Sequence, residues 1–96
     1  MFSDQALITA VAGQVSTELD GEAAILHLES GIYFGLNEVG ARVWQLVQQP
    51  RTVAEVRAAV LAEYEVTPEQ WAGDLQTLLA DLLAHNLIEV RDAPAA

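Results

Sequence analysis

Apolar and polar positions alternate from Val15 to Leu19, stop at Asp20-Gly21, and resume as a β-type run from Ala23 to Leu28. Asp-Gly between two such runs favours a type I′ hairpin turn, so this stretch predicts two antiparallel strands. A second turn signal, Ser30-Gly31, leads into Ile32-Tyr33-Phe34-Gly35-Leu36, whose β-branched and aromatic residues predict a third strand paired back on the second. With two-residue loops, Leu26, Leu28 and Tyr33 share one sheet face, and Ile25, His27, Phe34 and Leu36 share the other. Both faces are then substantially apolar.

After Leu36 the period changes to that of a helix. Asn37 is a good N-cap, and Val39, Val43, Leu46 and Val47, with Trp44 beside them, predict a helix from Glu38 to Gln48, stopped by Pro50. Thr52-Val53-Ala54-Glu55 has the form of a capping box and opens a second helix that buries Val53, Val56, Val60 and Tyr64. Thr67-Pro68-Glu69-Gln70 combines a capping Thr, a Pro at the first helical position and a Gln at the reciprocal capping position, with Val66 and Trp71 as a hydrophobic staple. This third helix should end near His85, with Asn86 in the left-handed conformation and Leu87 folded back on Leu82. Leu87 to Val90 reads as a short extended segment and residues 91–96 as a loose tail. The order β-β-β-α-α-α predicts a small α+β domain, a three-stranded antiparallel meander followed by a three-helix bundle, over residues 1–96 with a core at about 7–90.

Composition narrows the function. The 96 residues carry 14 carboxylates, only 4 basic side chains and a net charge of −10. A chain this short buries roughly 60–65% of its unfolded surface, which leaves little room for an enclosed catalytic cavity. Winged-helix proteins share these parts, yet the basic residues, Arg42, Arg51, Arg57 and Arg91, are scattered, whereas nucleic acid demands a basic stripe. The absence of cysteine excludes disulfides, thiolate metal sites and a thiol nucleophile, and fits a reducing compartment. The first residues do not form a secretory signal and no apolar run reaches the ~20 residues of a spanning helix, so the expected location is cytoplasmic, away from membranes.

Catalytic chemistry finds few candidates. His27 reads as a strand histidine, and His85, four residues after Asp81, as a helix-terminus group. The two are far apart in sequence and without metal-ligand spacing, and Ser3, Ser16 and Ser30 sit in no nucleophile-elbow pattern. No enzyme, metal or cofactor is expected.

Binding has better support. The third strand is an edge of a 1-2-3 meander, and Gly31 to Leu36 holds no Pro or charge of the kind that blocks edge pairing. On the last helix Trp71, Leu75, Leu78 and Leu82 form a stripe that Ala72, Leu79 and Leu83 widen to an apolar arc of roughly 140°. The edge is either open or covered by the first helix, the N-terminal segment or a second copy; the extra apolar facet either completes the core or lines a groove. An open edge beside a groove describes β-strand addition, in which backbone hydrogen bonds hold a peptide and pockets select its side chains.

The run Gly31-Ile32-Tyr33-Phe34-Gly35-Leu36-Asn37-Glu38-Val39-Gly40-Ala41-Arg42-Val43-Trp44 resembles the signature of the PqqD-like family, the recognition elements for ribosomally made precursor peptides. The likeness continues through Arg51-Thr52-Val53, Glu63-Tyr64, Asp74, Leu78-Leu79 and Leu87-Ile88-Glu89, and departs at Val39 and Phe34, where Thr and a second Tyr are frequent. It implies a non-catalytic domain that captures the leader of a precursor as an added strand on the third strand, beside the last helix. By position, the implied peptide-binding residues are Gly31, Ile32, Tyr33, Phe34, Gly35 and Leu36, with Asp74, Leu75, Leu78, Leu79 and Leu82 on the helix. Within the family a chain of this size is most similar to the free-standing leader-binding proteins of lasso peptide clusters. The implied partners are then the leader peptide, a transglutaminase-like cysteine protease that cuts it, and the cyclase. The alternatives are the peptide chaperone of pyrroloquinoline quinone synthesis, which serves a radical SAM enzyme, and a winged-helix-like homo-oligomer with no peptide role.

Overall fold

A computed structural model describes residues 2–91. The elements run β1 (Leu7–Ala10), β2 (Gln14–Leu19), β3 (Glu22–His27), β4 (Ile32–Leu36), α1 (Glu38–Leu46), β5 (Arg51–Thr52), α2 (Val53–Glu63), α3 (Pro68–Ala84) and β6 (Ile88–Arg91). The fold is α+β, with the meander and the three helices in the expected order.

The meander is β2-β3-β4, antiparallel throughout. Its first turn has two residues: Leu19 pairs with Glu22, and Asp20 and Gly21 both take positive φ, 54° and 84°, as a type I′ turn requires. The second turn is longer than the two residues expected. His27 pairs with Ile32, which leaves the four residues Leu28 to Gly31 as the loop. Side-chain bonding explains the length: His27 Nδ1 accepts the Ser30 backbone N–H at 3.2 Å and lies 2.8 Å from the Ser30 hydroxyl, while the Gly31 N–H donates to the His27 carbonyl at 2.7 Å. The pairing is shifted by two residues, and a two-residue shift keeps every side chain on its face. Ile25 pairs with Phe34 instead of Leu36, and Tyr33 with Leu26 instead of Leu28. The structure covers only one of the two apolar faces: Ala23, Ile25 and Leu36 are buried, whereas Tyr33 on the other face is exposed.

A second sheet, β5-β1-β6, is absent from the expected plan. Leu7–Ala10 lies at its centre, with Ile8 opposite both Arg51 and Val90. Four residues are too few to show a period, and their partners lie far along the chain. Arg91, placed in the tail by sequence, pairs with Leu7; the rest of that tail lies outside the described residues.

Local capping sets the helix limits. The Asn37 side chain accepts the Gly40 N–H at 2.9 Å, and α1 ends at Leu46, two residues before the expected Gln48. The Thr52 capping box is complete, with Glu55 N–H to Thr52 Oγ1 at 3.0 Å and Thr52 N–H to Glu55 Oε1 at 2.9 Å. Thr67 caps α3 through its backbone alone, its side chain making no cap bond; its ψ of 125° falls short of the 157° at Thr52. At the other end Asn86 has φ 59°, its N–H donates to the Leu83 carbonyl, and the Leu87 N–H donates to the Leu82 carbonyl at 2.9 Å. This is the Schellman arrangement expected there.

One buried cluster joins both sheets and all three helices, from Ala6 and Ile8 through Ile25, Val43, Trp44, Val56 and Leu79 to Leu87 and Ile88. Val53, Val56 and Val60 of α2 are fully buried; Tyr64 is half-buried at its C-cap. Two bidentate ion pairs brace the exterior, Arg42 with Glu63 at 2.8 and 2.9 Å and Arg57 with Asp4 at 2.7 and 2.9 Å.

Candidate functional site

β4 is hydrogen-bonded to β3 on one side and, among the described residues, to no strand on the other. The N-terminal segment, which could have covered that edge, is held in the second sheet. One lateral row of β4 amide and carbonyl groups therefore faces away from the sheet, a template for an added strand.

A groove of about 550 Å³ opens between β4 and α3. Its strand wall is Phe34, Gly35 and Leu36; its floor is Asn37, Val39 and Gly40 at the start of α1; its helix wall is Trp71, Asp74, Leu78 and Asp81, with Val66 before it. Gly40 lets the start of α1 lie close to β4: a Cβ there would meet the Leu36 side chain at 3.1 Å and Asn37 Oδ1 at 3.3 Å. A smaller pocket of about 150 Å³ continues past Phe34, between His27, Ser30 and Ile32 on the sheet side and Ala84, His85, Asn86 and Leu87 at the end of α3. Phe34 lines both and divides them, its ring meeting the His85 imidazole edge to face with centroids 5.0 Å apart. His85 is oriented by its own helix: Nδ1 lies 2.8 Å from the Asp81 carbonyl, which only accepts, so Nδ1 carries the proton.

The structure divides the expected site residues. Phe34, Gly35, Leu36, Asp74 and Leu78 line the groove, and Ile32 lines the smaller pocket. Gly31 lies in the preceding loop with φ 72°. Tyr33 points to the opposite sheet face, so Phe34 is the aromatic of the pair that enters the groove. Leu75, Leu79 and Leu82 are a correction: they are sealed in the core at no more than 1% exposure and lie outside the groove lining. Two stripes run side by side on α3. Leu75, Leu79 and Leu82 serve the core, while Trp71, Asp74, Leu78 and Asp81, spaced by three and four residues, face the groove. The second stripe was legible by spacing, but a search for apolar periodicity passes over it because two of its members are carboxylates.

Electrostatically the groove is acidic at its helix wall, where Asp74 and Asp81 are exposed. Charge pairing elsewhere holds the frame: hydrogen bonding from Arg57 lowers the Asp4 carboxyl below its usual range, and that from Arg42 does the same to Glu63. Glu55 is lowered by the Thr52 backbone N–H and hydroxyl of the capping box. Backbone hydrogen-bonding groups, apolar walls and a carboxylate rim are the chemistry of capture.

An open edge strand beside a helix-walled groove has the geometry that β-strand addition uses. The family model of coenzyme PQQ synthesis protein D (PqqD) matches residues 22–88, and the chain belongs to that family. Among solved structures it is similar to TbiB1 in complex with the TbiA(beta) leader peptide, with 36% identity, a TM-score of 0.76 and coverage of 84% of this chain and 94% of that one. The fold is also shared with lasso peptide synthetase B1 complexed with the leader peptide, at 22% identity, a TM-score of 0.72 and coverage of 85% and 96%. No curated protein matches the chain.

Proposed function

We propose that this protein is a non-catalytic adaptor that binds the leader of a ribosomally made precursor peptide and presents it for processing in lasso peptide biosynthesis. The observation that carries the reading is the unpaired edge of β4 alongside the 550 Å³ groove. The leader adds antiparallel to β4, and its inward side chains occupy the groove walled by Phe34, Trp71 and Leu78. The likeness to TbiB1, whose structure holds a leader peptide, supports this choice of ligand. The single buried cluster supports one recognition domain. The role belongs in the cytoplasm, and no helix among the described residues is long and apolar enough to cross a membrane. A leader protease and a cyclase would receive the peptide.

The PqqD family match favours a second reading, a peptide chaperone for a radical SAM enzyme. Calorimetric titration with two synthetic peptides separates them: the leader encoded beside this gene, and the precursor of pyrroloquinoline quinone. The adaptor reading expects the first to bind at least about tenfold more tightly; preference for the second would replace it.

A further inference from the structure

β4 has a second face. Val15, Leu26 and Tyr33 form one row across the three strands, and Thr17, Ala24 and Gly35 form the next, all on the side away from the helices. The first row is apolar and open, with Val15 53% and Tyr33 68% exposed. The second row, built of small residues, is a shallow depression of about 470 Å³ bordered by Glu22 and Asn37. Leu28, in the loop next to this face, is also exposed. A contiguous apolar surface of this kind marks an interaction site.

The charges choose the occupant. From Gln14 to Leu36 the chain has neither Lys nor Arg; Glu18 lies on the helix side, where it accepts from the Gln45 amide, while Glu22 borders the depression and Asp20 and Glu29 are exposed in the adjoining turns. A second copy would set Asp20, Glu22 and Glu29 against their equals, and nucleic acid or an anionic membrane would be repelled. We propose that the outer face of the β2-β3-β4 sheet docks a protein whose apolar patch is ringed by Lys and Arg. One bulky apolar side chain of that partner fills the depression over Ala24 and Gly35, and a recess takes the Tyr33 ring.

The position gives this surface a purpose, which rests on the adaptor reading. Residues 33 and 35 belong to the strand whose free edge takes the leader, so a partner on the outer face sits directly beside the captured peptide. The partner is therefore the enzyme that acts on the leader, docked on one side of β4 while the peptide is held on the other.

The test is sedimentation velocity and calorimetry of this protein with the purified leader-cleaving enzyme of its own cluster, in low and moderate salt. Wild-type protein is expected to bind it more weakly as salt rises. Val15→Glu, on the strand farthest from the peptide edge, is expected to weaken that complex at least about tenfold and leave leader affinity within about twofold. Thr17→Glu, in the small-residue row, is the second variant should Val15→Glu fail to fold. Enzyme binding unchanged in a folded variant overturns the proposal, as does a wild-type dimer that Val15→Glu dissociates. Enzyme binding lost in the variant, with a wild type that ignores the leader, supports the docking face and overturns the adaptor reading alone.

Discussion

The ring of Phe34 meets the imidazole of His85 edge to face, at 5.0 Å between centroids and 68° between planes. This contact ties the edge strand to the last turn of α3 and stands between the main groove and the smaller pocket. Phe34→Asp puts a charge at that boundary and adds to an already acidic groove. Its leader affinity should fall at least about tenfold, more than one groove-lining side chain of ordinary weight would lose. Calorimetry on protein with an unchanged far-ultraviolet spectrum measures it.

Leu78 and Leu79 are neighbours in sequence with opposite duties. Leu78 lines the groove; Leu79 is fully buried. Leu78→Asp should abolish most leader binding while the fold persists. Leu79→Ala should lower stability by about 2–5 kcal/mol through the cavity it leaves. Urea unfolding and leader titration on both variants give the two readouts.

Trp44 is 4% exposed and belongs to the common core. Trp44→Ala should cost roughly 3–5 kcal/mol, a large share of the stability of a domain this small. Binding lost in this variant reports unfolding, and a melting curve taken beside the titration shows it.

The Asp4–Arg57 pair fastens the N-terminal segment to α2. Asp4 has a depressed pKa in the folded state, so its contribution is present above the ordinary carboxylate range and lost as pH falls through the folded value. Because both groups are partly exposed, the effect is small. The melting temperature of wild type should exceed that of Asp4→Asn near pH 6, and the gap should close as the solution is acidified below about pH 4. A gap independent of pH would mean that the ion pair contributes nothing.

Sequence showed the meander and helices because their signals are local. Asp20-Gly21 sets one turn, Thr52 and Glu55 cap each other, and Asn86 ends α3 through its own φ. The second sheet escaped because β1 finds its partners at Arg51-Thr52 and Ile88–Arg91, pairings that only the assembled core brings about. The strand wall of the site was legible in the uncharged run Gly31 to Leu36. The helix wall was legible only in part: the apolar arc of α3 is mostly core, and the groove uses the adjacent mixed stripe of Trp71, Asp74, Leu78 and Asp81.

The central claim is strand addition on β4. It is tested most directly by titrating isotopically labelled protein with the leader peptide encoded beside its gene and following backbone amide shifts residue by residue. Strand addition predicts shifts concentrated at Gly31 to Leu36 and along Trp71 to Asp81, with new protection from exchange at β4 amides. Saturating leader that moves none of these amides would contradict it.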